Sequence, residues 1–426
     1  MRSMDEEQAP STDELIKRIA GVVVSEAGKV DRVDRSRYLV TMYVGIGDAV
    51  TVGLSAVEQI IENDPAAYGA IDVLCNDIQA EIFQHDPRVN RVIRAQRALF
   101  PPPEIATWLK GVVMDAQTAQ LVHFLRDRRY EAIFPGMFAP VFFYKLATPI
   151  MYPYLLKLGK DMFSLRSFTD MPIGTLARQI VNRYFDDLLP TPSPGEIPSL
   201  YLGSVHVRRA IAAVETIKAL AKVPAEESKL LVVAPDTASS VTRPPTNLLA
   251  EGIANALRAM PNLIAYILPG YTNKKAAQNL MERLHSFFPG RVFLRPHAPR
   301  VGLLELTAFL DQTDLFVTGD TGLMHLAVAR KRLAPDDDPY YMPRNHLKTI
   351  VLFGGTNPAF YGYSRHTTIL GRGRKEQAAY RPGIVKESYN ARGKNFFDHI
   401  RPLQLTDAIV CGADEKSIDL SGLSNG

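Results

Sequence analysis

Cysteine is nearly absent from this chain, with Cys75 and Cys411 the two in 426 residues. Neither lies in a Cys-x-x-Cys or Cys/His spacing, so neither a disulfide framework nor a structural zinc is expected, and a reduced, cytosolic setting fits. A long apolar run is also missing. No stretch reaches the roughly 18 apolar residues of a membrane span. The nearest, 139–158, is broken by Lys145, Pro149 and Pro153 and reads first as a core helix followed by a loop, the other reading being an aromatic surface (Phe142, Phe143, Tyr144, Tyr152, Tyr154) that meets a lipid-linked or aromatic acceptor. The first residues are acidic and polar, unlike a secretory signal. A strong charge of one sign is lacking too: 49 basic against 45 acidic residues leave +4, too little to argue for nucleic acid. So mild an excess is compatible with an anionic substrate or peripheral contact with an anionic membrane face. What is present is globular: 46% hydrophobic and 22% charged residues supply a sizeable core, and the length suits two or three domains.

Residues 1–35 read as an N-terminal extension, with Ser11 and Glu14 in capping-box spacing. Two series of alternating strands and helices follow. The first has strands at 38–44, 71–75, 91–93 and 131–134, with a helix from Ala49 to Glu62. The second has strands at 229–235, 263–268, 292–294, 314–318 and 349–353, with helices at 247–260 and 274–287. The strands are short, β-rich and almost continuously apolar, as expected where both faces of a parallel sheet are covered. A proline-rich stretch at 188–195 and a helix from Val205 to Ala221 join the two series. The fold class is therefore α/β, with two Rossmann-like, doubly wound units at 36–222 and 223–399 and a closing helix and tail at 400–426. Ligands of such sheets bind at the carboxyl ends of the strands, and two such units facing each other place the site in the cleft between them.

One post-strand turn stands out: Gly319-Asp320-Thr321-Gly322-Leu323-Met324-His325. Its glycines let the backbone approach a ligand, the N–H groups opening the next helix face an anion, and the Thr321 hydroxyl adds a donor. His325 lies one turn on, on the face of Thr321 or Gly322, within reach of a phosphate oxygen. Asp320 is expected to cap the helix or to accept from sugar hydroxyls. A plain helix cap with a satisfied core histidine fits the same residues, and the fragment alone leaves both readings open.

The surrounding pattern resembles glycosyltransferase family 9, the heptosyltransferase family of bacterial lipopolysaccharide synthesis. Leu303–Leu310 precedes the Asp-Thr-Gly-x-x-His turn, and Gly354-Gly355-Thr356-Asn357-Pro358 follows the next strand, after an apparent insertion at 331–347. Toward the N-terminus, Gly45-Ile46-Gly47-Asp48 is similar to the family's Gly-Asp element, and His85–Ile93 and Ile400–Val410 are similar to two further segments. The resemblance covers roughly 36–412. It implies a GT-B fold and an inverting transfer of heptose or a related sugar from a nucleotide diphosphate donor, ADP-linked by family default, to a glycan, lipid-linked or small-molecule acceptor. It implies no cofactor and no metal, and a cytoplasmic enzyme peripheral at the inner membrane face.

The residue roles follow from that resemblance. Asp48 is the candidate base for the acceptor hydroxyl. Asp320, Thr321, Gly322 and His325 are candidates for donor diphosphate and sugar. Thr237, Ser239 and Arg243 occupy the loop that carries hydroxyls and a basic residue in the family, with Pro244 where Trp is usual. Gly47, Thr356 and Asn357 are candidates for the donor or acceptor loop. Thr272-Asn273-Lys274-Lys275 replaces acidic residues that often meet the nucleoside, which leaves the nucleoside open. Asp336-Asp337-Asp338 is expected to be a solvated loop rather than a metal motif. The competing classes are a non-catalytic sugar-nucleotide-binding protein, which would not need Asp48, and an NAD-dependent enzyme. The latter needs Gly-x-Gly-x-x-Gly, whereas Val50 fills the last position.

Overall fold

A computed structural model describes residues 36–42, 45–94, 130–135, 173–186, 189, 196–224, 227–237, 242–270, 274–296, 301–356, 358, 362–363, 367–371 and 396–414. The expected N-terminal extension, the 139–158 aromatic stretch, Ser239, Asn357 and most of the 188–195 linker lie outside them.

The first series forms β1 (Tyr38–Thr41), α1 (Ile46–Asp48), a π-helical stretch Ala49–Leu54, and α2 (Ser55–Asn63). It continues with β2 (Ile71–Cys75), α3 (Asp77–Phe83), β3 (Val89–Arg94), β4 (Ala132–Pro135) and α4 (Ile173–Tyr184). Its sheet is parallel, in the order β3-β2-β1-β4. The expected first strand was too long, since β1 ends at Thr41. The expected helix start was too late. The chain turns helical at Ile46, with extended Gly45 as the residue before the helix, so Asp48 lies inside the first turn.

After β5 (Ser199–Leu202) and α5 (Ser204–Leu220) comes the second series. It comprises β6 (Lys229–Ala234), α6 (Thr246–Ala259), β7 (Leu263–Ile267), α7 (Lys275–His285), β8 (Val292–Leu294) and α8 (Leu303–Asp311). Then follow β9 (Leu315–Gly319), α9 (Gly322–Val328), β10 (Arg330–Leu333), β11 (Lys348–Leu352), β12 (Thr367–Leu370) and α10 (Pro402–Asp414). The six-stranded sheet runs β12-β11-β9-β6-β7-β8, all parallel. From β6 the chain winds outward to β8, then returns to β9 on the other side. This leaves a crevice at the carboxyl ends of β6 and β9, where open α/β sheets take ligands.

The strands alternate as a two-faced sheet must. Leu231, Val233, Leu315 and Val317 pack with α6, α7 and α10 on one face. Leu230, Val232 and Phe316 join a core on the other face that continues through β5, α5 and α8 into the first sheet. Each such fully buried side chain contributes about 1.5–3 kcal/mol, so the shared core ties the two sheets together.

Several elements were not read from the sequence, among them α4, β5, β10 and β12. Part of the apparent 331–347 insertion is a strand, because β10 pairs in parallel with β5 as a separate two-stranded sheet. Its Arg-Lys-Arg-Leu sequence hid it, since alternate residues are exposed and Lys331 is buried. The remainder is tethered as well: buried Asp311 accepts the backbone N–H groups of Arg344 and Asn345 at 2.7 and 2.9 Å. The His85–Ile93 segment carries structural charge. Arg88 forms a double hydrogen bond to buried Asp86 (2.8 and 2.7 Å), pairs with Glu58 at 3.0 Å and donates to the Ser199 carbonyl at 2.9 Å. Arg178 joins the same Glu58. This network fixes β5 to α2.

Among the described residues no helix is long and apolar enough to cross a membrane.

Candidate active site

The Gly45–Asp48 turn follows β1, at the point where the first sheet's strand order reverses. Short polar contacts hold it. The Asp48 carboxylate accepts the Gly45 N–H at 3.0 Å, Gln79 donates to the Gly45 carbonyl at 3.0 Å, and Thr51 donates to the Gly47 carbonyl at 2.9 Å. Gln79 is itself anchored, because Asn76 and Gln79 cap α3 reciprocally at 2.9 and 3.2 Å. That Asn-x-x-Gln spacing was legible as a helix start, but its role in seating the Asp48 turn was not.

The Gly319–His325 turn follows β9. Thr321, not Asp320, is the residue before α9. Its backbone is extended and its hydroxyl accepts the Met324 N–H at 3.4 Å. The expectation that Asp320 caps the helix is therefore corrected. Asp320 points instead toward His325, with 3.8 Å between Oδ1 and Nε2. The helix is only seven residues long, so its dipole is small. Any anion here depends on the exposed amides, Thr321 and a nearby cation.

The two turns meet directly. A Cβ added to Gly322 would lie 2.9 Å from the Ile46 Cβ and 3.4 Å from the Gly47 nitrogen. One added to Gly47 would lie 2.5 Å from the His325 ring. The glycines are thus required by close approach of two chain segments nearly 280 residues apart, not by unusual dihedrals. Sequence reading named both turns; the fold presses them together.

The electrostatics reflect this proximity. Burial pushes the Asp320 carboxyl up to about 6, against the opposing effect of the Thr356 hydroxyl, and the Asp48 charge pushes it the same way as burial. The His325 ring is buried and pushed down to about 3, so at neutral pH it is an uncharged donor or acceptor. Its Nδ1 meets the Tyr363 hydroxyl at 2.8 Å. Tyr363 was not identified from the sequence. It lies in an irregular stretch 38 residues beyond His325, with no local motif.

The loop after β6 completes the crevice. The Arg243 guanidinium donates through Nη2 to the Thr237 carbonyl at 2.9 Å, and its buried Nε has no partner among the described residues. A buried guanidinium N–H left unmade costs about 1–3 kcal/mol or more, which an arriving anion would recover. The Thr237 hydroxyl accepts from Thr242 at 3.1 Å. This loop lies on the Gly319 backbone: a Cβ there would fall 2.2 Å from the Thr242 carbonyl oxygen and 3.0 Å from the Pro244 ring. Gly319→Ala is accordingly expected to destabilise the protein by about 1–3 kcal/mol. Urea unfolding tests this, and an unchanged midpoint would show that the 242–244 loop is not seated on β9.

Asp337 accepts from Ser204 at 2.7 Å and Asp338 accepts the Tyr340 N–H at 3.0 Å. No group of three His, Cys, Asp or Glu residues among those described could hold a metal ion.

Comparison with known proteins agrees with this architecture. Residues 267–383 match glycosyltransferase family 9 (heptosyltransferase). This stretch contains the donor-side turn but not Asp48. No curated protein sequence matches the chain. Among solved structures, a family 9 glycosyl transferase from Veillonella parvula superposes with a TM-score of 0.61 at 13% identity, covering 91% of this chain and all of that one. The ADP-heptose lipopolysaccharide heptosyltransferase II of E. coli gives 0.57 at 16% identity, covering 88% and 98%. E. coli heptosyltransferase WaaC with ADP gives 0.50 at 16% identity, covering 79% and 94%.

The fold is that of the GT-B glycosyltransferases, and the chain is a glycosyltransferase. Within that class it resembles family 9, as its Asp-Thr-Gly-x-x-His and Gly-Asp elements indicated, and its fold is heptosyltransferase-like.

Proposed function

We propose that this protein is an inverting glycosyltransferase that moves a heptose or related sugar from a nucleotide diphosphate donor to a glycan or lipid-linked acceptor. Such an acceptor would place it at the cytoplasmic face of a membrane. The observation that carries the reading is the direct contact between the Gly47-Asp48 turn and the Gly322–His325 turn. A transfer of this kind needs a base at the acceptor hydroxyl and stabilisation of the departing diphosphate within one small volume. Asp48 supplies the carboxylate. On the other side, Thr321, the Gly322 amide, His325 and Arg243 supply donors to phosphate oxygens. Arg243 carries the positive charge, because His325 is neutral. Acceptor attack on the anomeric carbon forms the new glycosidic bond as the bond to the diphosphate oxygen breaks. Asp48 takes the hydroxyl proton, and the diphosphate leaves with the electron pair. No metal is required in this scheme, since Arg243 and backbone amides meet the leaving charge.

The ADP held by E. coli heptosyltransferase WaaC, and the ADP-heptose in the name of E. coli heptosyltransferase II, make an ADP-linked donor the first to test. Incubation with a panel of nucleotide sugars and an acceptor extract should release one nucleoside diphosphate. Arg243→Ala is expected to weaken donor affinity by roughly 30-fold or more, consistent with loss of a charge-assisted pair, and His325→Ala by roughly tenfold. Calorimetry reads both. Unchanged affinity in both variants would remove the diphosphate from this turn, and donor binding without turnover would favour a non-catalytic sugar-nucleotide-binding protein.

A further inference from the structure

We propose that Tyr363 is a positioning residue that fixes the tautomer of His325, so that Nδ1 is bare and Nε2 carries the hydrogen toward Asp320. The use assigned to that Nε2–H, donation to a donor phosphate oxygen, rests on the function proposed above.

Tyr363 and His325 are 7% and 5% exposed, their rings meet edge-on at 5.6 Å, and the hydroxyl lies 2.8 Å from Nδ1. Burial, with the Asp320 and Asp48 charges adding to it, holds the phenol in its protonated form. The imidazole is neutral for the reason already given, so the pair shares two hydrogens. The phenol hydrogen needs an acceptor, and a neutral imidazole offers one only on its unprotonated nitrogen.

Two arrangements are possible. If Nδ1 held the hydrogen, the phenol O–H would lack its acceptor, and the bare Nε2 would face the Asp320 carboxylate 3.8 Å away, lone pair against anion. If Nε2 holds it, the phenol donates to Nδ1 and the Nε2–H points toward a carboxylate. Both considerations select the second arrangement. The Gly47 backbone packs against the Cδ2–Nε2 edge of the ring. Met324, Val351 and Phe353 pack around Tyr363. The hydroxyl therefore contributes little to filling space and much to deciding which nitrogen carries the hydrogen.

The test is imidazole nitrogen NMR on the full chain, with His325 assigned by loss of its signals in His325→Gln. The expected spectrum, taken at pH 8 where Asp320 is ionised, shows a protonated Nε2 and a bare Nδ1. A protonated Nδ1, or two averaged nitrogens, in the wild type would overturn the proposal without any variant having to fold. In Tyr363→Phe, which keeps the ring volume, the two nitrogens should move toward each other as both tautomers become populated. Affinity for the nucleoside diphosphate identified by the panel should fall roughly tenfold, the size expected for one hydrogen bond to a charged group. An unchanged tautomer in that variant would also overturn the assignment. If the tautomer shifts while nucleotide affinity stays constant in both Tyr363→Phe and His325→Gln, the tautomer assignment stands and the diphosphate reading of the turn fails.

Discussion

Asp48→Asn is expected to lower turnover by roughly 10²–10⁴-fold, the usual contribution of a positioned general base, while donor affinity stays within about threefold. Asn is the informative substitution because its side-chain oxygen can still accept the Gly45 N–H, as the Asp48 carboxylate does at 3.0 Å. The turn, and the packing of Gly47 on His325, should therefore survive. What is removed is the proton acceptor and one negative charge. Losing that charge beside a bound diphosphate can only favour donor binding, so weaker donor binding in this variant would signal a distorted turn rather than a lost base. Steady-state nucleotide release together with calorimetry separates the two. Turnover within threefold of wild type would exclude Asp48 as the base. A companion effect is expected at Asp320. The Asp48 charge helps raise its carboxyl, so Asp48→Asn should lower the Asp320 pKa from about 6.

Asp320→Asn should stabilise the protein above pH 6 and have little effect below pH 4. The sign follows from proton linkage. The folded protein holds the Asp320 proton up to about 6, whereas the unfolded chain releases it near 3.8. Stability is therefore lost as pH rises through this window, and the loss is complete above it. A shift of about two units corresponds to about 3 kcal/mol, an upper bound because the Asn amide forfeits the carboxylate's approach to His325 and Thr356. Unfolding midpoints of wild type and variant across pH 4 to 8 should diverge by several degrees as pH rises. Parallel curves would mean that Asp320 is not strained by burial. Catalysis should move the other way, with the more stable variant the poorer enzyme, as expected where a site holds charge at the expense of stability.

Much of the architecture was legible. Lys229–Ala234 and Leu315–Gly319 read as buried parallel strands because both of their faces are covered, which leaves almost no polar position to confuse the pattern. β10 was missed because Arg330 and Arg332 interrupt that pattern; its pairing with β5 is decided by a strand about 130 residues away. The start of the first helix was placed three residues late because Gly45-Ile46-Gly47 has poor helical propensity, overridden by the contacts at Gly45 and Gly47.

The sequence by itself determined the α/β class, the two post-strand turns and the resemblance to family 9, because these rest on local periodicity, glycine placement and short motifs. Tertiary structure alone decided which residue does what within them. Thr321 rather than Asp320 caps α9, since capping depends on the dihedral angles of one residue. His325 is neutral and bonded to Tyr363, since its charge depends on burial. Gly47 and Gly322 face one another, since that contact depends on two sheets sharing a core. Local pattern specifies which groups are available; their ionisation and alignment depend on what the folded chain packs around them.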